Sequence, residues 1–460
     1  MGQRSPNDQL AALLAESGWS GGELARAVNA LGTKYGLRLR YDRTAVAHWL
    51  EGSRPRPPVP GLVAQSLGRR LGRAIHVGET GLGGMAGGGA STDTVLKAGD
   101  PVERLIALCG ADADTNRRLA LNRRMLTDVD IQPPAWPPAA GPQDGPPDGA
   151  VPNQAPHGDA RLSDMVTVFA ELTYKYGGAH ARSALGAYIT DDVTPRLVPS
   201  PDGEAADPLV LAGSACLSHL LGTMAADAGL PNLGYHCYRS ALDLAYQAGN
   251  RNVYAITLRT MAQLALRLDD MTRARQWSER ALEVADPTAT THVLSYLYAG
   301  RAVVLAVEGE RENALADLLA AENSLDTEAD PAPLRPFTVY PPAAFLYQRG
   351  EVLLSLGDRG QAVTAFQQSL AARSPAHHIA LVLTHAHIAE TLLSLGEVEA
   401  ALEQCREIFV HYPFTASRRT TMALTAMRRC LAPYRRHPQA REVRDQLIHL
   451  TRRKAGVAAP

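Results

Sequence analysis

Apolar positions along the chain recur at spacings of three and four residues and rarely alternate, so the pattern predicts helices rather than strands. In GGELARAVNAL (21–31) Leu24, Ala25 and Val28 fall on one face. After Asp42 the same is true of Val46, Trp49 and Leu50, and in PGLVAQSLGRRLG (60–72) of Leu62, Val63, Leu67 and Leu71. Asp42 stands as an N-cap with Arg43 opening its helix, and Gly52 is placed to end that helix in the left-handed conformation. Residues 8–75 thus read as a compact set of short helices.

From Leu162 onward the helical period continues and also repeats. Five segments align on turn positions 229, 269, 309, 357 and 396, separated by 40, 40, 48 and 39 residues. Each has a small residue seven before the turn (Gly222, Ala262, Ala302, Gly350, Ala389) and another five after it (Gly234, Ala274, Ala314, Ala362, Ala401). Small residues at those places let two antiparallel helices approach closely, and each pair must bury its apolar face on the next. The pattern resembles the tetratricopeptide repeat, most closely at Gly350, Gly357, Ala362 and Phe366, with a longer period than that family's 34 residues. The resemblance covers about 215–415 and implies a solenoid whose first helices line a concave groove. Mapped through the turns, Arg259, Gln263, Tyr296, Tyr347, Glu351 and Glu390 are its expected lining. The insert DTEADPAPLRPFTVYPPA (326–343), with Phe337 and Tyr340, is either an ordinary loop or a wall of that groove.

Two stretches break the helical pattern. GETGLGGMAGGGAST (78–92) is rich in glycine and reads as flexible coil; its glycines lack the strand and helix that a nucleotide-binding loop requires. Residues 131–160 hold nine prolines in 30, enough to span on the order of 90 Å as polyproline II at about 3.1 Å per residue. The expected division is a helix-turn-helix domain over 1–77, a Gly-rich linker over 78–99 and a short helical segment over 100–130. A Pro-rich linker follows over 131–160, then helical repeats over 161–414 and basic capping helices with a tail over 415–460. The fold class is all-α: a small head tethered to a repeat solenoid.

Charge sharpens this picture. The net charge of −1 conceals a balance of +5 over residues 1–80, +9 over 415–454 and −15 between them. Such asymmetry points to contact with an anionic partner at one end. Around the helix opened by Arg43, residues 36–73 hold eight arginines against only Asp42 and Glu51. VAHWLEGSRPRPP (46–58) has a tryptophan, Trp49, a glycine three residues on, Gly52, and then a proline, Pro55. With ELARAV (23–28), these resemble the XRE-type (Cro/repressor-like) helix-turn-helix. In that family the recognition helix enters the major groove. The resemblance implies that Arg43, Thr44, Ala47 and His48 face base edges, and that Arg54, Arg56, Arg38 and Arg40 meet phosphates. The residue types suit those roles, since Arg bonds guanine bidentately and Ala permits close approach. The family's tight turn is replaced here by GTKYGLRLRYD (32–42).

The remaining chemistry is sparse. Five scattered cysteines without a CxxC pair fit a reducing compartment, and with no apolar h-region in MGQRSPNDQL and no run of 18 apolar residues, neither secretion nor membrane insertion is expected. Cys216, His219, His236 and Cys237 sketch a zinc site but lie in repeat sequence, where cysteine is commonly core. His377, His378, His385 and His387 cluster with no metal motif, and no HExxH, nucleophile elbow or paired carboxylates occur. No cofactor, metal or catalysis is expected. The basic segment 417–454 reads as a solvated cap, with a second phosphate contact as the functional alternative.

Head and repeats together resemble the helix-turn-helix plus tetratricopeptide-repeat regulators of actinomycetes and the peptide-responsive regulators of the same plan; DMVTVFAELTYKYGGAHARSALGAYITDDVTPRL (164–197) is similar to the entry of the former's repeat body. The resemblance implies a cytoplasmic transcriptional repressor, nucleoid-associated when bound to double-stranded DNA. It also implies a homodimer formed through the repeats, with a peptide, protein or small-molecule effector in the groove. The competing reading is a cytosolic interaction scaffold whose basic head contacts protein.

Overall fold

The computed structural model describes residues 6–35, 37–56, 58–71, 73, 75, 77–82, 100–123, 133, 135–136, 160–197, 206–286, 289–325, 337 and 339–457. Among these residues the regular structure is entirely helical, an all-α solenoid with a small head.

The head contains α1 (Asp8–Ser17), α2 (Gly21–Lys34), α3 (Arg43–Leu50) and α4 (Val59–Leu71), followed by a 3₁₀ turn over Val77–Thr80. Ser20 and Glu23 form a reciprocal capping box at the start of α2, and the Asp42 carboxylate accepts the Ala45 N–H at 2.9 Å to start α3. Gly52 has φ 95°, the left-handed residue its position predicted. Leu24, Val28, Val46, Leu62, Val63 and Leu67 are fully buried, and Trp49 nearly so. The expected boundary at residue 77 is corrected: Asn7 Nδ2 donates to Thr80 O at 2.9 Å and Leu82 is buried, so 78–82 belong to the head rather than to a linker.

The segment after the glycines is not a free-standing piece. Helices α5 (Pro101–Ala113) and α6 (Thr115–Arg123) lie on the body, burying Leu105, Leu108, Cys109 and Leu121. Asp112 pairs with Arg182, and Arg104 with Asp243, in largely buried ion pairs. Within the Pro-rich stretch Trp136 is likewise anchored, edge-on to Tyr246 and Tyr254 and under the Arg251 guanidinium. Its carbonyl accepts from Arg280 at 2.8 Å. Nine prolines therefore do not make the whole stretch a free tether, because one indole supplies enough apolar area to hold its backbone.

The body begins with α7 (Ala160–Tyr176) and α8 (Gly178–Tyr188), the latter running through a π turn over Ile189–Val193. Six helix pairs follow: α9/α10 (Pro208–Asp227, Pro231–Gln247), α11/α12 (Arg251–Arg267, Met271–Val284) and α13/α14 (Thr291–Glu308, Arg311–Leu325). Then come α15/α16 (Pro342–Ser355, Arg359–Ala371), α17/α18 (Val398–His411 being the second, His378–Leu395 the first) and α19/α20 (Arg418–Cys430, Pro438–Val457). All ten small residues of the repeat alignment are buried. The closeness is visible at Gly350, where a Cβ would lie 2.5 Å from the Phe366 ring. The turn positions Gly229, Gly309, Gly357 and Gly396 all have positive φ, and Asp269, at φ 60°, is the one non-glycine residue to do so among the described residues. The basic C-terminal segment forms a sixth pair, with Leu424, Met427, Leu431, Val443 and Leu447 in its core.

The two ends of the body meet. Asp227, the last residue of α9, accepts from Ser417 Oγ at 2.7 Å and from the Gly178 N–H at 2.8 Å, while Ala179 N donates to Ala416 O at 3.0 Å. Helix α7 packs on both α9 and α17 and so crosses between them. Helices α9 and α17 are long and apolar enough to cross a membrane by length and composition alone, but 83% and 56% of their apolar windows are buried against neighbours.

Candidate nucleic-acid interface and repeat groove

On α3 the buried stripe of Val46 and Trp49 turns Arg43, Thr44, Ala47 and His48 to solvent, where 43/47 and 44/48 are one helical turn apart. The preceding loop is held in register from behind. Asn29 Nδ2 donates to Tyr41 O at 2.7 Å and its Oδ1 accepts from Tyr41 N at 2.9 Å, while Tyr41 stands edge-on to Trp49. Leu37, Leu39 and Tyr41 pack inward and leave Arg38 and Arg40 outward by simple alternation. Gly32 is required there, since a Cβ would come within 2.5 Å of Leu39 Cδ1. Arg54 and Arg56 are exposed on the exit.

All eight expected contact residues are thus on the surface, and none of the five arginines has an acidic partner among the described residues. His48 alone is engaged, 3.2 Å from Glu51. Two other arginines of the head are used internally: Arg73 pairs with Glu16 and Glu79, and Arg70 donates to Ser17 O. The exposed set is therefore a basic face without built-in neutralisation.

The head also rests on the body. Lys34 pairs with Asp269 at the second repeat turn, and Arg418 Nη2 donates to Thr33 O at 2.8 Å. Asn122 Nδ2 reaches Tyr35 O at 3.4 Å, and Asn122 is itself bonded to Asn232 at the start of α10. Arg418 is held below its ordinary pKa by burial and by Arg38, so the C-terminal basic helix adjoins the head's arginine face.

The groove residues separate into two sets. Arg259 is 8% exposed, its guanidinium 3.9 Å from the Tyr296 ring centroid and its Nη1 3.0 Å from Tyr296 Oη. Gln263 Nε2 donates to Gly300 O at 2.9 Å. Glu351 stands among Arg419, Arg259 and Arg267; burial raises its pKa and the three cations oppose that rise. Tyr347 lies beside Phe366 and His387. Glu390 is apart from this group, next to Arg429 and the Cys405–Cys430 region. Most of the insert, 326–336 and 338, lies outside the described residues; of the rest, Phe337 packs edge-on to His219 and Tyr340 edge-on to Tyr296, with His292 Nδ1 accepting the Tyr340 N–H at 3.2 Å.

Sequence reasoning missed Arg267, Arg419 and Tyr174. Arg267 was legible, being two turns from Arg259 on the same helix. Arg419 was hidden in a segment that reads as a solvated cap, and Tyr174 lies on α7, outside the repeats. The sketched zinc residues are packing groups instead. Cys216 and Cys237 are fully buried with thiols pushed up by burial, and His219 Nδ1 is 3.1 Å from Thr257 Oγ1. Among the described residues no group of three or more His, Cys, Asp or Glu side chains is arranged to hold a metal ion.

Two known families match parts of the chain. Residues 10–83, which take in most of the head, match the SP15 N-terminal domain. Residues 343–374, the pair α15/α16, match the tetratricopeptide repeat. No curated protein matches the chain. The body is a tetratricopeptide-like helical array, an architecture that generally serves protein interaction.

Proposed function

We propose that the protein is a sequence-specific DNA-binding regulator, a repressor acting in the cytoplasm at the nucleoid, whose repeat body dimerises and senses an effector in its groove. The observation that carries this is the face of Arg38, Arg40, Arg43, Arg54 and Arg56, exposed and without acidic partners among the described residues, around the outward Thr44, Ala47 and His48. Phosphate contacts from flanking arginines would position the head, and α3 would read base edges. Two heads in a dimer would address half-sites about 34–36 Å apart or a multiple of that. The chain acts by binding, without catalysis.

The test is selection of genomic DNA fragments by the full-length protein beside an Arg43→Ala/Thr44→Ala variant, at two salt concentrations. A discrete motif should be enriched by the wild type alone, with affinity for it falling by about 1–3 kcal/mol per lost base contact. Residual binding should weaken with salt, as counterion release requires. Equal enrichment by both proteins would remove α3 as the reading helix, and enrichment of nothing would favour the scaffold, with the basic head directed at protein.

A further inference from the structure

Three arginines of the body lie around Glu351 and have no ion pair among the described residues. Arg259 is nine-tenths buried, yet one tyrosine hydroxyl is its hydrogen-bond partner, and its Nε has none. Gly300 makes room for it, since a Cβ there would lie 2.5 Å from that Nε. A guanidinium has five donors, and burying it without a carboxylate is costly. Arg267 and Arg419 likewise have no ion pair among the described residues, although each lies near Glu351. One carboxylate cannot neutralise three cations.

We propose that this groove binds an extended acidic peptide, whose carboxylates meet Arg259, Arg267 and Arg419 along a wall of tyrosines. The proposal deepens the sensing role given to the body and rests on that part of the reading alone.

Spacing selects the ligand. Arg259 and Arg267 are eight residues apart on α11, about 12 Å along the axis at 1.5 Å per residue. A lone phosphate reaches one of them. An extended peptide advances about 3.3 Å per residue, so acidic side chains four apart match both. Tyr296 lies against Arg259 and Tyr340 against Tyr296, Tyr347 lies near Arg419, and Tyr174 approaches Arg259 from α7. Tyr174 keeps half of its surface in solvent and Arg267 is exposed, so both can be reached by a ligand. A duplex is a poor occupant, because residues 81–414 carry a balance of −15 around this local positive set.

The experiment measures fluorescence anisotropy of fluorescein-labelled hexaglutamate, with a free C-terminus, titrated with the full-length protein in the absence of DNA. Arg267→Gln and Arg419→Gln, neither of them core residues, should each weaken binding at least about tenfold with unchanged helix content. Arg54→Gln/Arg56→Gln and Arg435→Gln/Arg436→Gln should bind as the wild type does. Absence of binding, or equal binding by the groove variants, overturns the proposal. So does complete displacement by inorganic phosphate at matched charge, which would make the ligand a small anion. Because no DNA is present, these outcomes are independent of whether α3 reads sequence.

Discussion

His219 lies in the first repeat pair, 6% exposed, between Thr257 and the Phe337 ring. Burial, aided by the Arg259 charge, holds its pKa down to about 3, against an ordinary 6.5. The unfolded chain therefore binds this proton through a window in which the folded chain refuses it. Stability conferred by the neutral ring is complete above about 6.5 and is lost as pH falls toward 3, at up to ~1.4 kcal/mol per unit. Urea midpoints measured between pH 6.5 and 4 should fall less steeply for His219→Gln than for the wild type. Parallel curves would mean that the ring titrates freely in the fold. Asp269 shows the opposite economy at this scale: it occupies a left-handed turn position that glycine holds in the other four repeats, and it gains a pairing with Lys34 that glycine could not make.

At the scale of elements, α3 presents its outer face only because the loop before it is fixed. Two hydrogen bonds from one side chain, Asn29, hold Tyr41, and Tyr41 in turn packs on Trp49. Asn29→Ala should cost about 1–3 kcal/mol of stability through the unpaired Tyr41 backbone groups. Amide hydrogen exchange should quicken from Leu37 to Asp42 while α2 stays protected. If that loop exchanges as in the wild type, the clamp does not set its register. The eight-residue connection between α2 and α3 departs from a tight helix-turn-helix, and no periodicity argument indicates that Asn29 replaces the turn. The helices themselves were legible, because Val46/Trp49 and Leu24/Val28 declare their buried faces by spacing, and Asp42 and Gly52 mark the ends of α3. So were the repeats, from small residues that only close helix pairs require. Trp136 was not. It sits in proline-rich sequence where local pattern predicts no packing, and it is held by rings distant in the chain. The groove was legible where one helix carries two cations, and illegible where Arg419 enters from the far end of the body.

The whole molecule joins its two basic regions. Helix α19 begins where the ends of the body meet, and its first two residues point to different neighbours. Arg418 donates to Thr33 O of the head and fills the space over Gly229, where a Cβ would lie 2.3 Å from its Cδ. Arg419 lies near Glu351, Tyr347 and His387 of the groove. Groove and head are therefore separated by one peptide unit at the start of a helix, and any ligand that pulls on Arg419 acts next to the head contact. The Lys34–Asp269 pair, largely solvent-exposed on the aspartate side, contributes at most about 1 kcal/mol, so Arg418 and the Asn122–Tyr35 bond are left to hold the last turn of α2 in place. Arg418→Ala should accordingly speed amide exchange at Leu31–Tyr35, the end of α2, while Leu24–Val28 in its middle remain protected by the head's own core. Unchanged exchange at the end of α2 would mean that the head does not dock on α19 in solution, and the route from groove to head would then have to run through α6 and Asn122.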